Sequence, residues 1–257
     1  MKRTKITIDN EYIPKEFSSL LSGGDTYDSS CSPEARVIYI DKDCGYFLKT
    51  AEKGTLKKEA ELDNYFHKKG LGARVVGYAS GERDWLLTER VPGEDATSAI
   101  YLEDPKRLAI KSGEILRALH EIDFSDCPIQ NRMEGYFALA DENYAKGAYD
   151  LSFCSLPSAE DAYRLICSGR ALMKNEVLLH GDYCLPNFLM NNWKFTGFID
   201  LGNAGVGDRH VDLFWGAWTL NFNLKTDKFR NIFFDAYGRE LVDKDKLSII
   251  AAAEVFG

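Results

Sequence analysis

The stretch HGDYCLPN, residues 180–187, places a histidine, an aspartate and an asparagine directly after the apolar run VLL at 177–179. A short apolar run bounded by polar residues predicts a buried strand, and the polar residues after it predict a loop. Such a loop is either a solvated turn or the edge of a functional site. The neighbouring segments decide between the two.

A second predicted strand and loop follow in FTGFIDLG, residues 195–202, after a tight turn at residues 191–192. Consecutive strands usually lie side by side, so we expect the side chains of Asp182, Asn187 and Asp200 to converge. Two carboxylates and an amide oxygen suit Mg²⁺, which prefers oxygen ligands. The two loops therefore predict a magnesium site.

The spacing of these residues is H-x-D-x-x-x-x-N, with I-D-x-G placing its aspartate 13 positions after the asparagine. This is the order of the catalytic loop and the metal-binding aspartate in kinases. Phosphoryl transfer needs one aspartate to orient or deprotonate the attacking hydroxyl, and oxygen ligands for the metal. Asp182 is the candidate base, and Asn187 and Asp200 are the candidate metal ligands.

The first 90 residues alternate apolar segments with turn residues, which predicts an antiparallel sheet. The predicted strands are TKITI (4–8), RVIYI (36–40), GYFLK (45–49), RVVGYA (74–79) and DWLLTE (84–89). One helix, Thr55–Lys68, interrupts them. Lys49 ends its strand and Glu59 lies on the following helix, which is the order of the phosphate-binding lysine and its carboxylate partner in kinases.

No GxxxxGK[ST] or GxGxxG sequence precedes this lysine. The turn SSCSPEAR (29–36) stands there instead. Ser32 and the nearby backbone amides are therefore the candidate groups that cap the phosphates.

Pro92 and Gly93 interrupt the strand pattern and predict a hinge. We expect residues 1–90 to form an N-terminal nucleotide-binding lobe, 91–95 the hinge, and 96–257 a catalytic and substrate-binding lobe. Helices are predicted at 105–120, 158–173, 209–222, 227–237 and 243–256. The predicted fold is α+β, with an antiparallel sheet and one helix followed by a mostly helical lobe.

The 257-residue chain carries a net charge of −8. Residues 1–90 hold 15 acidic and 15 basic side chains, whereas residues 91–257 hold 25 acidic and 17 basic ones. A negative surface repels nucleic acid and anionic membranes and attracts a cationic substrate. An acidic surface that only favours solubility explains the same counts.

No apolar run approaches the roughly 20 residues of a membrane span, and MKRTKITIDNEY (1–12) lacks the apolar stretch of a signal peptide. We therefore expect a cytoplasmic protein. Six cysteines without a CxxC pair and four histidines without HExxH spacing give no zinc motif. The cysteines are expected to be reduced and structural.

Several residues near the central loop have structural interpretations. His180 is interpreted as a brace, because an aspartate already fits the proton-accepting role. Cys184 lacks a histidine placed as its base, which disfavours a nucleophile. GNAGVG (202–207) is interpreted as a flexible activation-loop equivalent rather than a phosphate loop. Three aromatic residues at helical spacing are interpreted as core rather than a stacking platform: Phe214, Trp215 and Trp218.

The sequence resembles the aminoglycoside phosphotransferases, and among them the kanamycin-kinase type that phosphorylates the 3′-hydroxyl. The resemblance spans the chain and is carried by HEIDFSDCP (120–128), HGDYCLPN (180–187), FTGFIDLGNAGVGDRHVD (195–212) and AAAEVFG (251–257). It implies a two-lobed protein-kinase-like fold that uses Mg²⁺ and ATP or GTP. The implied acceptor is a cationic aminoglycoside, and the implied role is antibiotic resistance.

The resemblance also implies roles for nucleotide-site residues. Asp182 is the implied base, Asn187 and Asp200 bind magnesium, and Lys49 and Glu59 form the phosphate-clamping pair. Two further nucleotide contacts are implied, a positioning loop and the backbone beside the adenine: Ser32, and Glu89 to Val91.

At the substrate end, the resemblance implies that Glu254 and Phe256 contact the aminoglycoside. Acidity and location add Asp208 and Asp161 as candidates for binding amino groups. Three positions depart from the family pattern: Asn203 and Trp218, where members commonly have arginine, and Gly257, which follows the usual terminal phenylalanine.

Two other functions stay open at this stage. One is a kinase of another small amine or a sugar alcohol, and the other is a catalytically weak nucleotide-binding sensor. Neither nucleic acid nor membrane is an expected partner. A monomer and a homodimer are equally compatible with the sequence.

Overall fold

The computed structural model describes residues 4–8, 13–31 and 35–257. Its contacts divide the chain into two compact units. Unit one contains the described residues up to Asp95 together with Phe188–Gly202, and unit two contains Ala96–Asn187 together with Asn203–Gly257. The sequence pattern alone assigns residues 188–202 to the region after the hinge.

Six antiparallel strands form the main sheet of unit one, in the order β1-β2-β3-β4-β6-β5. Their bounds are β1 Thr4–Ile6, β2 Asp25–Asp28, β3 Ala35–Asp41, β4 Tyr46–Glu52, β5 Val75–Ser80 and β6 Arg83–Glu89. Lys49 on β4 pairs with Val37 of β3 on one side and with Leu86 of β6 on the other. A strand with partners on both sides fixes the position of this lysine.

Two helices, α1 Lys15–Leu21 and α2 Lys57–Lys68, belong to unit one. The sequence pattern predicts only α2, because α1 has seven residues and no side-chain cap. Helix α2 buries Leu62 and Phe66, one turn apart, and carries Glu59 in its first turn. The core side chains of the sheet are Ile13, Phe17, Ile38, Ile40, Tyr46, Leu48 and Leu87.

A second sheet explains why residues 188–202 pack in unit one. Its strands are β7 Glu94–Asp95, β9 Phe188–Asn191 and β10 Lys194–Phe198, in the order β10-β9-β7. Strand β9 thus pairs with the strand that ends the first segment of the unit. The backbone N–H of Phe198 also donates to the carbonyl of Leu71 at 2.7 Å.

Unit two is mostly helical. Its helices are α3 Ala99–Leu102, α4 Pro105–His120, α5 Arg132–Lys146, α6 Ala159–Gly169, α7 His210–Leu224, α8 Arg230–Tyr237 and α9 Lys244–Glu254. Strands β8 Val177–Leu179 and β11 Gly205–Gly207 form an antiparallel pair. The α+β class predicted from the sequence is confirmed.

Two helix starts follow their sequence signals. Asp104 caps α4 by accepting from the backbone N–H of Arg107, and Ser158 caps α6 by accepting from that of Asp161. Helix α6 ends at Gly169 rather than near residue 173, because the chain tightens into a 3-10 turn over 170–172. Helix α5 is not predicted by the sequence pattern.

The interpretation of GNAGVG as a flexible loop is wrong. Residues 201–203 form a 3-10 turn, and 205–207 form β11, whose three residues are all buried. Glycine permits this packing because a Cβ at Gly205 would lie 2.8 Å from a methyl carbon of Ile129. Within the described residues, no helix has both the length and the apolar character needed to cross a bilayer.

Candidate active site

Lys49 is held by two carboxylates in unit one. Its ammonium nitrogen lies 2.8 and 2.9 Å from the two carboxylate oxygens of Glu59, and 2.8 Å from Oδ1 of Asp200. Burial alone would lower the pKa of Lys49, but the two neighbouring carboxylates outweigh it and raise that pKa. The structure thus brings three of the predicted residues together around a permanent positive charge.

Asp200 follows β10 in a strained backbone conformation. Its φ of 61° is left-handed, which is uncommon for a non-glycine residue and is frequent at functional sites. The side chain is 54% exposed, so a ligand can reach the carboxylate while Lys49 holds one of its oxygens.

The other predicted nucleotide contacts are Glu89, Val91 and Ser32, and only the first two lie within the described residues. Glu89 ends β6, where its backbone N–H donates to the carbonyl of Arg74 at 2.9 Å and its carboxylate pairs with the same arginine. Val91 is buried. Contact of this backbone with adenine stays a prediction. Ser32 lies outside the described residues.

In unit two, Asp182 and Asn187 are in direct contact. The loop after β8 turns into a short 3-10 segment that ends at Asn187. The side-chain amide of Asn187 donates to Oδ2 of Asp182 at 2.8 Å and to its carbonyl at 3.0 Å. These bonds orient the Asp182 carboxylate and use the N–H groups of the Asn187 amide, whose oxygen can act only as an acceptor.

Asp212 on α7 anchors this loop, and the sequence reasoning missed it. The carboxylate is fully buried and accepts the backbone N–H groups of His180 and Gly181, each at 2.8 Å. His120 contacts the same carboxylate at 3.1 Å. The available signal was a lone aspartate in the apolar sequence VDLFW (211–215), because a buried carboxylate requires polar partners.

Two neighbours of Asp182 make the loop rigid. Gly181 has a φ of +85°, and a Cβ there would lie 1.9 Å from the carbonyl oxygen of Asn203, so only glycine fits. His180 is fully buried, and its Nδ1 accepts from the backbone N–H of Asp182 at 3.3 Å. Its interpretation as a brace is confirmed.

Cys184 is buried in the same loop. Burial raises the pKa of its thiol far above the usual value, with a further contribution from the nearby Asp182 carboxylate. The thiol is therefore protonated and a poor nucleophile, as the sequence interpretation holds.

A cavity of about 380 Å³ opens beside Asp182 within unit two. Asn187 lines it from the loop, and Trp215, Trp218 and Phe222 line it from α7. Trp218 is half-buried, packs on Phe153 and Trp215 and also lines the cavity, so its interpretation as a core residue stays a prediction.

The other two aromatic residues of that group, Phe214 and Trp215, do pack against the core as expected. Trp215 lies at the boundary and reaches both the core and the cavity. Helical spacing alone does not show which of these surfaces a side chain meets.

Glu254 and Phe256 occupy the end of α9. Glu254 is 7% exposed and accepts hydrogen bonds from the Tyr136 hydroxyl at 2.6 Å and the Trp215 indole at 2.9 Å. Burial raises the pKa of Glu254 to about 7. Phe256 is buried in the core and packs edge-on against Tyr144. Contact of both residues with an aminoglycoside stays a prediction.

The two remaining acidic candidates have partners inside the protein. Asp208 is fully buried, with its carboxylate 2.7 Å from the Lys246 ammonium and 2.6 Å from His210 Nδ1. We infer a structural role for Asp208. Asp161 accepts from the hydroxyl of its cap, Ser158, at 2.7 Å, and its partly exposed carboxylate also pairs with an arginine.

Asn203, which departs from the family pattern, is held by Arg132. The guanidinium of Arg132 donates to the Asn203 carbonyl at 2.9 Å and to its side-chain oxygen at 3.3 Å. A cationic group therefore still lies next to this turn, supplied from α5.

An ion-paired lysine on a central strand, a helix glutamate and an H-G-D loop with its asparagine together define a kinase-like phosphotransferase. The model of the family described as "Phosphotransferase enzyme family" matches residues 34–249. The chain belongs to this family.

Named relatives agree with this placement. A probable aminoglycoside 3′-phosphotransferase of Lactococcus lactis subsp. lactis (strain IL1403) is 48% identical over 98% of both chains. The aminoglycoside 3′-phosphotransferase of Niallia circulans is 31% identical over 78% of this chain and 79% of its own. The predicted enzyme class and family are confirmed.

Solved structures show the same fold. A type VIII aminoglycoside 3′-phosphotransferase superposes with a TM-score of 0.74 at 24% identity, covering 99% of this chain and 94% of that one. An aminoglycoside phosphotransferase of Streptomyces rimosus ATCC10970, in complex with ADP and streptomycin, gives a TM-score of 0.72 at 21% identity, covering 86% and 90%. The predicted kinase-like fold is confirmed.

Proposed function

We propose that this chain transfers the γ-phosphoryl group of ATP or GTP to a hydroxyl of an aminoglycoside antibiotic and thereby confers resistance. The 3′-hydroxyl of compounds such as kanamycin or neomycin is the proposed acceptor. The carrying observation is the Asp182 carboxylate, which lines a cavity and is oriented by Asn187 in an anchored loop. The names of the relatives support the choice of acceptor.

Asp182 is the proposed base. An acceptor hydroxyl in the cavity donates a hydrogen bond to this carboxylate, which orients the oxygen for attack and takes its proton. The protein has little covalent chemistry to perform in such a transfer, because positioning and charge stabilisation supply most of the rate. The hydrogen bonds from the Asn187 amide hold the Asp182 carboxylate in one orientation, which serves the positioning of the acceptor hydroxyl.

Lys49 is the proposed phosphate contact in unit one, and Glu59 holds it in place. The ammonium offsets negative charge on the phosphate oxygens of the nucleotide. The backbone from Glu89 to Val91 is proposed to contact the adenine, and Ser32 to cap the phosphates.

Asn187 and Asp200 are the proposed Mg²⁺ ligands. The amide of Asn187 has its N–H group committed to Asp182, and the carboxylate of Asp200 is half exposed, so both offer oxygen to a hard cation. When bound, the metal supplies positive charge to the phosphate oxygens.

Glu254 and Phe256 are proposed to shape the acceptor end of the site. Glu254 accepts a hydrogen bond from the indole of Trp215, which lines the cavity, and so positions that ring. We expect the enzyme to work in the cytoplasm, as a monomer or homodimer, without a nucleic-acid or membrane partner.

The test is a transfer assay with MgCl₂, ATP or GTP, and a panel of kanamycin, neomycin, choline and simple sugars. We expect nucleoside diphosphate release that depends on the aminoglycoside, with NMR locating the phosphate on the 3′-oxygen. Turnover with choline or a sugar alone would instead identify a kinase of a small metabolite. Nucleotide binding without turnover on any acceptor would identify a sensor.

A further inference from the structure

One face of α7 presents aromatic side chains to the cavity beside Asp182. Trp215, Trp218 and Phe222 are spaced three and four positions apart, which is helical spacing, and all three line the cavity. Phe222 is 54% exposed despite its size and apolar character. Apolar side chains that line one cavity together with a functional residue mark a binding surface. We call these three side chains the aromatic wall.

The aromatic wall is ordered by contacts within unit two. The rings of Trp215 and Trp218 meet edge to face at 5.3 Å, and those of Trp218 and Phe222 stack at 4.9 Å with an interplanar angle of 10°. Glu254 fixes the Trp215 indole through a 2.9 Å hydrogen bond. Binding a ligand to this wall therefore costs little further side-chain entropy, because the three side chains are already held in place.

The charges around the cavity favour an uncharged ligand surface at the wall. Asp182 is the only carboxylate among the described residues that line the cavity. The Lys225 ammonium lies 4.3 Å from the ring centroid of Phe222. This cation repels an ammonium group of a ligand at the outer end of the wall. A surface of C–H groups fits there better than a charged one.

Resting on the proposed function, we propose that the aromatic wall determines acceptor selection. The C–H groups of the acceptor sugar that carries the reacting hydroxyl pack against the parts of Trp215, Trp218 and Phe222 that line the cavity. This contact turns the hydroxyl on the ring edge toward Asp182. Apolar packing on a preorganised ring thus replaces ionic recognition on this side of the acceptor.

The test measures neomycin binding by calorimetry without nucleotide, in the wild type and in four variants. Phe222→Ala and Trp218→Ala remove parts of the wall, Trp218→Phe keeps an aromatic face, and Tyr149→Ala is the matched control. Tyr149 is 56% exposed and does not line the cavity. We expect the Kd to rise about tenfold or more for the two truncations of the wall and less than about threefold for Trp218→Phe and Tyr149→Ala.

The salt dependence separates packing from charge. The ratio of the variant Kd to the wild-type Kd is expected to stay constant between about 50 mM and about 500 mM NaCl, because apolar packing is not screened. A ratio that collapses toward one at high salt would overturn the proposal. Phe222 is exposed, so its truncation decides the case if Trp218→Ala fails to fold.

The outcomes separate this proposal from the proposed function. Equal neomycin affinity in the wild type and both truncations overturns the role of the wall, whatever the transfer assay shows. Loss of affinity in the truncations, without phosphoryl transfer by the wild type, supports the wall as a sugar-binding surface and rejects the transferase. Absence of neomycin binding to the wild type overturns the role of the wall, and the transfer assay with the full panel decides the proposed function separately.

Discussion

Asp182 and an asparagine of the same shape differ in their ability to accept a proton from a bound hydroxyl. Asp182→Asn is expected to lower kcat by about 10³-fold, because a positioned base contributes roughly 10²–10⁴ to such reactions. The nucleotide Kd should stay within about threefold of the wild type, measured by calorimetry. A variant that keeps near-normal turnover would remove Asp182 from the role of base.

Asn187 links the base to the proposed metal, so its loss should affect the two ligands of the enzyme unequally. Asn187→Ala is expected to raise the Mg²⁺ concentration for half-maximal activity by about tenfold or more, since an oxygen ligand is lost. Aminoglycoside affinity should change less. The measurement is an activity titration with MgCl₂ beside calorimetry with kanamycin, and equal losses in both would point to a folding defect.

Glu254 changes charge near neutral pH. Burial raises its pKa from 4.5 to about 7, and the hydrogen bonds from Tyr136 and Trp215 offset this only in part. The folded protein therefore binds this proton more tightly than the unfolded chain does. Its contribution to stability is complete below about pH 4.5 and is lost as the pH rises through about 7.

Glu254→Gln keeps an acceptor oxygen for both hydrogen bonds and removes the titration. The free energy of unfolding of the variant minus that of the wild type is expected to be about 3 kcal/mol larger at about pH 8 than at about pH 4, because only the wild type loses stability over this range. Urea denaturation of both proteins at the two pH values measures this. A difference between the proteins that does not change with pH would show that Glu254 is not a titrating group in this range.

At the scale of elements, sequence signals predict what depends on neighbours in the chain. The spacing of HGDYCLPN (180–187) identifies Asp182 and Asn187 as the loop residues of a kinase-like site, and the strand-then-helix order selects Lys49 and Glu59. The structure places each pair in direct contact. These contacts span short distances along the chain, so local spacing carries them.

Features that depend on distant packing are not predicted. Helix α5 has a capping asparagine, Asn131, and a left-handed Gly147 after its end, but only Met133, Phe137 and Ala140 are buried along it. So few buried positions give only a weak helical periodicity of apolar residues in the sequence. The position of Trp218 in the aromatic wall likewise depends on what packs against each face of α7. The spacing of residues along that helix does not reveal this.

The loop between β8 and its 3-10 turn should tolerate no side chain at Gly181. Gly181→Ala adds left-handed strain and a 1.9 Å approach to the Asn203 carbonyl, whereas Gly147→Ala adds only strain, since nothing lies within 4 Å. We expect Gly147→Ala to cost about 1 kcal/mol of unfolding free energy and Gly181→Ala about 3 kcal/mol or more. Chemical denaturation compares them, and equal costs would mean that the loop yields to the added Cβ.

On the scale of the whole molecule, the net charge of −8 gives a long-range field that attracts polycations. The same acidic surface can serve solubility alone, and salt distinguishes the two roles. Ions at about 0.5 M shorten the screening length to a few ångströms and cancel long-range attraction. If the long-range field captures the acceptor, added salt should therefore weaken the capture of a polycation.

We therefore expect kcat/KM for kanamycin to fall about tenfold or more between about 20 mM and about 500 mM NaCl, because the capture of a polycation by a negative protein is screened. The KM for the nucleotide, an anion that we propose binds near Lys49, is the internal control. It should not rise in parallel, because a negative protein does not attract an anion over a long range. Initial rates at saturating concentrations of the second substrate provide both values. A salt-independent kcat/KM for kanamycin would assign the acidic excess in residues 91–257 to solubility and leave acceptor capture to short-range contacts in the cavity.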